Sequence, residues 1–280
     1  MPIRTQVAII GAGPAGLTLA AILQAEGVDC VVVEKHPLSY VEARARAALI
    51  EPRTVAALDR YGLADRLLVG AVAHGSCEFR NRGERFSVPS GVLAGGRQHT
   101  VYPQQPLVAD LVAARAATGG ALYFSHPAVS VTTGPLGERG TITVESARTR
   151  ERLTVDCDVI AGCDGFHGIS RAAIPVEHLE PHGKRHDSAW LAVLADAPPS
   201  TREIVYALHD DGYAGHMLRT PRQPLLPSVP ARGHRRVLRR APRVTRTRTS
   251  GIEVGQVGAE VYVAEADLHI GQGRPGLLQL

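Results

Sequence analysis

The chain opens with a strand, a glycine turn, a helix and a second strand, and few folds accommodate this order. The strand-like run Gln6-Val-Ala-Ile-Ile10 leads straight into Gly11-Ala-Gly-Pro-Ala-Gly16, and a second apolar stretch ends at Glu34. In a βαβ unit of this kind, the first glycine makes the tight turn, the second lets a pyrophosphate approach the backbone, and the third lets the helix pack against the strand. Amides at the helix start then face the phosphate, and the acid accepts hydrogen bonds from ribose hydroxyls. The sequence therefore predicts a Rossmann-like nucleotide-binding unit, with a chance glycine pattern as the weaker alternative.

Composition and cysteine usage are typical of an α/β protein that folds in water. The chain has 280 residues, of which 44% are hydrophobic, enough for one large domain or two small ones. No apolar stretch reaches the roughly 18 residues of a membrane span, and the first apolar run turns into glycines as a buried strand does, not a signal peptide. The four cysteines show no CxxC spacing. We therefore predict reduced core cysteines, no metal site and a cytoplasmic location.

The charge is uneven along the chain. The net charge is +4, and residues 221–250 carry nine arginines and five prolines with no acidic residue. A basic arm that binds nucleic acid is one interpretation of such a segment. We favour a tail that adds little to a core, because the segment has no aromatic residue and no sustained apolar period. Neither a nucleic-acid partner nor a membrane partner is expected.

Three longer motifs carry a family resemblance. They are Arg44-Ala-Arg-Ala-Ala-Leu-Ile-Glu51, Thr100-Val-Tyr-Pro-Gln104 and Ala161-Gly-Cys-Asp-Gly-Phe-His-Gly-Ile-Ser-Arg171. With these motifs, the glycine turn and Glu34, the chain resembles the flavoprotein aromatic hydroxylases, most closely the p-hydroxybenzoate hydroxylase group. The resemblance runs from about residue 3 to about residue 220.

The resemblance implies an α/β fold in which a Rossmann-like FAD-binding domain holds an inserted β-rich substrate domain. It assigns residues 1–75 and 101–175 to the FAD-binding domain, and residues 76–100 and 176–220 to strands of the substrate domain. Residues 221–280 lie outside it, and we predict that they form a divergent, disordered Arg/Pro-rich tail. For the full-length family the resemblance implies a homodimer.

The resemblance also assigns cofactor contacts. Glu34 binds the FAD ribose, Gln104 holds FAD, and residues 44–49 run along the flavin and pyrophosphate. A guanidinium suits a diphosphate because it donates two parallel charge-assisted hydrogen bonds. Without the rest of the motif, the alternative interpretation of Arg44 and Arg46 is that they are solvated surface charges, as most arginines are. The predicted FAD contacts are Gly11, Gly13, Ala15, Gly16, Glu34, Arg44, Ala45, Arg46, Ala47, Ala48, Leu49, Gln104, Asp164 and Gly165.

A second nucleotide, NADPH or NADH, is implied as the reductant. The segment that follows Glu34 contacts the 2′-phosphate of NADPH in the family, and the cation Lys35 favours that extra phosphate. His167 and Arg46 match residues linked to the nicotinamide cofactor. A solvated loop of mixed charge remains the alternative for Lys35, and an ordinary loop histidine for His167.

The reaction that the resemblance implies is hydroxylation of a small phenolic acid by O2, most like that of a 4-hydroxybenzoate 3-monooxygenase. Reduced flavin reacts with O2 to give a C4a-hydroperoxide, and its distal OH passes to an electron-rich ring, while the protein positions and polarises the site. This chemistry belongs to the catabolism of aromatic compounds. Another phenolic substrate remains open.

Four residues match the family's substrate site. Tyr206 matches the tyrosine that contacts the phenol, and His74 matches the histidine at the outer end of the proton relay. Arg219 matches the arginine that pairs with the substrate carboxylate, and Met217 replaces a serine near that carboxylate. Without the resemblance, the simpler interpretation is that Tyr206 is an aromatic residue of the core, His74 a surface loop residue and Arg219 a solvated residue at the end of a strand.

The chain also departs from the family. It contains no Gly-Asp dipeptide, which the family places against the ribityl chain of the flavin. We therefore expect a chain truncated at its C-terminus relative to the family and inactive in hydroxylation, and a non-catalytic FAD- or nucleotide-binding fragment is the alternative. An NAD-dependent dehydrogenase is disfavoured, because a simple Rossmann domain has no reason to carry the motif around Asp164.

Overall fold

A computed structural model describes residues 2–44, 48–134, 138–180, 189–195, 201, 203–209, 212–220, 223–226 and 259–265. The helices are α1 Pro14–Ala25, α2 Leu38–Ala43, α3 Pro52–Arg60, α4 Asp65–Gly70, α5 Ser90–Leu93 and α6 Gln104–Ala117, with 3₁₀ turns at Ser170–Ala173 and Val176–His178. The strands are β1 Ile3–Ile10, β2 Cys30–Val33, β3 Leu49–Ile50, β4 Val72–His74, β5 Cys77–Asn81, β6 Glu84–Val88, β7 His99–Val101, β8 Leu122–Tyr123, β9 Ala128–Thr132, β10 Gly140–Glu145, β11 Arg152–Gly162, β12 Ala189–Ala195, β13 Ile204–His209, β14 Gly212–Thr220, β15 Gln223–Leu226 and β16 Ala259–Glu265.

The first sheet is the scaffold of the nucleotide-binding unit. Its strand order is β8-β2-β1-β11-β10-β9, and β1 runs parallel to both β2 and β11. Strand β2 and residues 7–10 of β1 are apolar without alternation, as expected for parallel strands buried on both faces. Helices α1 and α6 pack together over one face, and the core there includes Ile9, Leu17, Val32, Val108 and Leu111. This architecture confirms the predicted α/β class with a Rossmann-like unit.

A second sheet and a small third one carry the remaining strands. The second has the order β16-β12-β15-β14-β13-β5-β6, and the third has the order β3-β7-β4. The sequence Asp210-Asp211-Gly212 is typical of a β-hairpin turn, and the strands on either side of it, β13 and β14, pair antiparallel. The two sheets meet where β14 contacts β4 and β7. Strands from distant parts of the chain therefore converge at this junction.

Two strands of the second sheet, β15 and β16, fall within the segment predicted to be a disordered tail. The other residues of 221–280 lie outside the described residues, and the domain boundaries given above stay a prediction. In the part of the chain that the structure describes, no helix combines the length and the apolar character needed to cross a membrane.

A buried arginine fixes helix α6 against the nucleotide-binding unit. Arg115 is in the last turn of α6 and is almost completely buried. Its guanidinium donates to the side-chain oxygen of Gln24 on α1 and to the backbone carbonyl of Cys30 on β2. Because these bonds tie three elements together, they also fix the direction of the helix that begins at Gln104.

Candidate cofactor and substrate site

Two of the three glycines in the turn are required by the fold itself. Gly11 has a φ of +107°, and a Cβ at this residue would stand 2.3 Å from the carbonyl oxygen of Cys163. A Cβ on Gly16 would stand 2.0 Å from the carbonyl oxygen of Gly11. Both contacts are with backbone, which cannot rotate away. These glycines therefore let β1, α1 and the loop after β11 approach one another.

Gly13 differs from them, because the space in front of it is open. It precedes α1 with an ordinary φ of −77°, and a Cβ there would meet nothing within 4 Å. The amides of the first helical turn, which include Ala15 and Gly16, have no partner within the helix. Open space in front of such amides is what a pyrophosphate needs. The described residues therefore fit the diphosphate of FAD.

Glu34 is held beside the glycine turn by two backbone amides. Its Oε2 accepts from the amide of Ala12 at 2.9 Å, and its Oε1 accepts from the amide of His36 at 2.8 Å. Each carboxylate oxygen has a second lone pair, so two adjacent ribose hydroxyls can still donate to the same group. The acid thus fits the ribose next to the diphosphate.

A basic and aromatic cluster follows Glu34 directly. The rings of His36 and Tyr40 lie 4.1 Å apart, and the guanidinium of Arg44 lies 5.6 Å from the centre of the Tyr40 ring. Burial lowers the pKa of His36, and the cations Lys35 and Arg44 act in the same direction, against the carboxylate of Glu34. The predicted contacts Ala45, Arg46 and Ala47 lie outside the described residues.

The next predicted cofactor residues lie at the small sheet. Leu49 on β3 pairs with Val101 on β7, and Gln104 begins α6 three residues beyond Val101. Ala48 is buried, and its carbonyl accepts from the amide of Tyr102 at 2.7 Å. The structure therefore brings Ala48, Leu49 and Gln104 to one end of the small sheet.

Tyr102, which our sequence analysis did not single out, anchors this end. Its hydroxyl donates to Oδ2 of Asp110 at 3.1 Å, and the other oxygen of Asp110 pairs with Arg66 on α4. Burial, reinforced by the Asp110 carboxylate, raises the pKa of Tyr102 to about 12. The tyrosine stays neutral and ties the end of β7 to Asp110 in the second turn of α6, the helix that Gln104 begins. Tyr102 lies inside the motif that ends at Gln104, which was the available signal.

The side chain of Asp164 stabilises the loop in which it lies. Its carboxylate accepts from the amide of Ser170 at 3.0 Å and from the Ser170 hydroxyl. Gly165 has a φ of +72°, and a Cβ on Gly168 would stand 1.9 Å from the Asp164 carboxyl carbon. The loop lies against the glycine turn, because the amide of Cys163 donates to the carbonyl of Ile10 at 2.8 Å. A cofactor contact by Asp164 and Gly165 stays a prediction.

His167 lies in the same loop and is exposed. Its ring meets the edge of Phe166 at 4.9 Å, and the guanidinium of Arg171 lies 4.8 Å from the centre of the Phe166 ring. Both readings of His167, nicotinamide contact and ordinary loop residue, are compatible with this position.

Tyr206 lies in the middle of the second sheet, between β5 and β14. It pairs with Phe79 on one side and with Gly215 on the other, and the Phe79 and Tyr206 rings are 5.2 Å apart. Burial raises the pKa of Tyr206. Alternation along β14 puts half-buried Met217 on the same face as Gly215. Arg219 lies two residues further along β14.

His74 is buried, contrary to its interpretation as a surface loop residue. It ends β4 with 6% of its surface exposed, and among the described residues its Nε2 has no hydrogen-bond partner. Burial lowers its pKa, and the carboxylate of Glu203 opposes that shift. Glu203 precedes β13 and accepts from the hydroxyl of Ser76 at 3.1 Å. A neutral imidazole with an unused nitrogen thus lies near the start of the strand that carries Tyr206.

The state of His74 predicts a dependence of stability on pH. Below the ordinary histidine pKa of 6.5, the unfolded imidazole takes up a proton and the folded one does not. The free energy of unfolding therefore falls as the pH falls below this value, by at most about 1.4 kcal/mol per pH unit for one site. We expect His74→Gln to show a smaller loss than the unsubstituted chain in urea titrations between pH 7 and pH 5.

The substitution separates His74 from His36 and His216, whose pKa values are also lowered by burial. The NMR titration of the His74 ring gives an independent measurement. A midpoint at or above 6.5 would contradict the assignment of a buried neutral imidazole.

Comparisons with known proteins point to one group. The family described as FAD binding domain matches residues 4–252, beyond the end of the resemblance seen in the motifs. The chain is 36% identical over 211 residues to the p-hydroxybenzoate hydroxylase of Acinetobacter baylyi, which covers 75% of this chain and 51% of that protein. It is 30% identical over 175 residues to the 3-amino-4-hydroxybenzoate 2-monooxygenase of Streptomyces cremeus, covering 60% and 42% of the two chains.

The fold is shared with solved structures. A p-nitrophenol 4-monooxygenase of Pseudomonas putida superposes with a TM-score of 0.76 at 22% identity, covering 96% of this chain and 69% of that one. The chain spans about half the length of the curated relatives it matches.

Proposed function

This chain belongs to the FAD binding domain family, and we propose that it serves in the FAD-dependent, NAD(P)H-using hydroxylation of a small phenolic acid. The observation that carries the proposal is the arrangement at the first turn. Open space in front of Gly13 adjoins a carboxylate fixed by the amides of Ala12 and His36. This shape suits an adenine dinucleotide, and the family supplies its identity as FAD. When bound, the flavin supplies the oxygen-transfer chemistry.

The chain's own residues divide the remaining work. Gly11, Gly13 and Gly16 with the start of α1 bind the diphosphate, and Glu34 binds the ribose. Leu49 and Gln104 contact the cofactor from the small sheet, together with Arg44. Lys35 and the adjoining His36 and Tyr40 form a basic edge for the reductant, and the cation at position 35 favours NADPH over NADH.

The substrate side lies where the second sheet meets the small one. Tyr206 accepts or donates a hydrogen bond at the phenol oxygen, which must lose its proton for the ring to become electron-rich. His74, with an unused ring nitrogen and a pKa below its ordinary value, receives that proton at the outer end of a relay. Arg219 pairs with the carboxylate of the acid. The two relatives at 36% and 30% identity, a p-hydroxybenzoate hydroxylase and a 3-amino-4-hydroxybenzoate 2-monooxygenase, support a 4-hydroxybenzoate-like acid.

A second candidate is an FAD-binding module without hydroxylase activity. The chain has no Gly-Asp dipeptide, the motif that the resemblance assigns to the ribityl chain of the flavin. Asp164, the acid of its other motif, accepts two hydrogen bonds from Ser170 that fold its own loop. One measurement distinguishes the two candidates: whether a phenolic acid stimulates the oxidation of NADPH and is converted to its ortho-hydroxylated product. FAD binding without such turnover favours the module.

The cofactor assignment is tested by Glu34→Ala. Loss of a charge-assisted hydrogen bond to the ribose weakens FAD binding by about 1.5–3 kcal/mol, measured by quenching of flavin fluorescence. Glu42→Ala on α2 is the matched control, because it removes the same charge near the same site, and we expect it to leave the affinity unchanged. ADP competes with FAD in the unsubstituted chain. Equal affinities in the Glu34→Ala and unsubstituted proteins, or failure of ADP to compete, would overturn the assignment.

A further inference from the structure

The ring of Tyr206 has unlike neighbours on its two sides. On one side it pairs with Phe79 of β5, and the ring centroids lie 5.2 Å apart. Phe79 in turn stacks on Phe86 of β6, with centroids 5.1 Å apart and planes 12° from parallel. On the other side Tyr206 pairs with Gly215 of β14. An aromatic row therefore crosses three strands on one face of the sheet and stops at a residue without a side chain.

The missing side chain changes the space next to Tyr206. Directly opposed residues on neighbouring antiparallel strands hold their Cβ atoms about 4.5–5.5 Å apart. Any side chain at position 215 would therefore stand beside the Tyr206 ring, where Phe79 stands on the opposite side. Half-buried Met217 is the next residue on the same face of β14. A methionine side chain is flexible and can adapt its shape to whatever group lies beside it. Gly215 therefore contributes no side chain beside Tyr206, and the position that such a side chain would occupy, between Tyr206 and Met217, is called the slot below.

We propose that Gly215 sets the substrate class, by making room beside Tyr206 for a phenolic acid that carries one further substituent on its ring. This inference rests on the proposed function, which brings the phenol oxygen to Tyr206. A methyl-sized group next to the phenolic hydroxyl then fills the slot, whereas an unsubstituted ring leaves it empty. One carbon more or less in an apolar pocket changes discrimination by about tenfold or more.

Two ligands that differ by one methyl group test the proposal directly. The dissociation constants of 4-hydroxybenzoate and 4-hydroxy-3-methylbenzoate are measured by titration calorimetry on the full chain saturated with FAD. We expect the unsubstituted protein to bind the methylated acid about tenfold more tightly. Gly215→Val fills the slot, and we expect it to reverse this preference. Gly215→Ala adds only one carbon and shifts the preference in the same direction by a smaller factor.

Ala214→Val is the matched control. Ala214 is the preceding residue on β14 and pairs with Ala207 on the opposite face, so the same strand receives a similar added volume away from Tyr206. We expect it to keep the preference of the unsubstituted protein. An unchanged ratio in both Gly215 variants would overturn the proposal while leaving the proposed function intact. Unfolding of Gly215→Ala would show that the position is packed and would also overturn it. Binding of neither acid by the unsubstituted protein would refute the proposed function itself.

Discussion

Gly16→Ala is expected to unfold the nucleotide-binding unit. The added methyl group would stand 2.0 Å from the carbonyl oxygen of Gly11 and 3.2 Å from the Cβ of Cys163. Gly11 itself is fixed, because its amide donates to the carbonyl of Val33 at 2.7 Å. Relief therefore requires α1 to move away from β1 and the loop after β11. We expect the free energy of unfolding to fall by about 3 kcal/mol or more, at the upper end of overpacking effects, in urea denaturation followed by circular dichroism.

Gly13→Ala is the matched control for this effect. A Cβ at Gly13 meets nothing within 4 Å, and its φ of −77° suits any residue. The free energy of unfolding should change by less than about 0.5 kcal/mol, while FAD affinity falls because the methyl group occupies the approach of the diphosphate. A Gly13→Ala protein that binds FAD normally would show that the diphosphate lies elsewhere. A stable Gly16→Ala protein would show that the turn is looser than the structure indicates.

The nucleotide-binding unit could be predicted from the sequence because its determinants are local. The turn, the helix start and the second strand lie within the first 34 residues, and one physical requirement accounts for each of the key residue types. Glycine is required where two stretches of backbone approach closely, and an acidic residue is required at the end of β2, where it can reach the ribose. The motif also separates the packing role of Gly16 from the pyrophosphate approach at Gly13, as the close contact at Gly16 and the open space at Gly13 bear out. Sequence alone could not show that Gly11 packs against the backbone of Cys163, which β11 brings back from much later in the chain.

The environment of His74 could not be predicted, because distant strands create it. Strand β4 is short, and its three residues have no alternation that would indicate burial. The burial of His74 follows from the contact of β14 with β4 and β7. Glu203, which opposes the lowering of the His74 pKa, arrives through the parallel pairing of β13 with β5. Parallel pairing between distant segments leaves no signal in a single sequence.

Asp164 shows the limit of reasoning from motifs. The motif predicts an FAD contact at Asp164, and its loop lies beside the glycine turn, joined to β1 through Cys163 and Ile10. The motif did not indicate that Ser170 would take both carboxylate oxygens of Asp164. Hydrogen bonds between two residues six positions apart form only if the loop between them follows a particular path. Gly165 and Gly168 determine this path through their backbone freedom and lack of Cβ. Phe79 was missed for a related reason, since its ring matters only once β13 brings Tyr206 beside it.

Arg219→Ala is expected to weaken the binding of a phenolic acid more than any other substitution on the substrate side. Arg219 lies on β14, the strand that pairs with β13 and its Tyr206. A guanidinium there can pair with the carboxylate through two parallel hydrogen bonds while the phenol end of the acid reaches Tyr206. Truncating one partner of a buried charge pair costs about 2–5 kcal/mol. We therefore expect the dissociation constant of 4-hydroxybenzoate to rise at least thirtyfold, the equivalent of about 2 kcal/mol.

The ligand itself provides the sharpest control for Arg219. The amide 4-hydroxybenzamide keeps the ring and the phenol but has no charge, so its affinity should be nearly the same in the Arg219→Ala and unsubstituted proteins. Arg219→Lys keeps the charge without the planar fork and should recover only part of the loss. If the unsubstituted protein bound the acid and the amide equally well, no cation would be facing the carboxylate, and the assignment of Arg219 would be wrong.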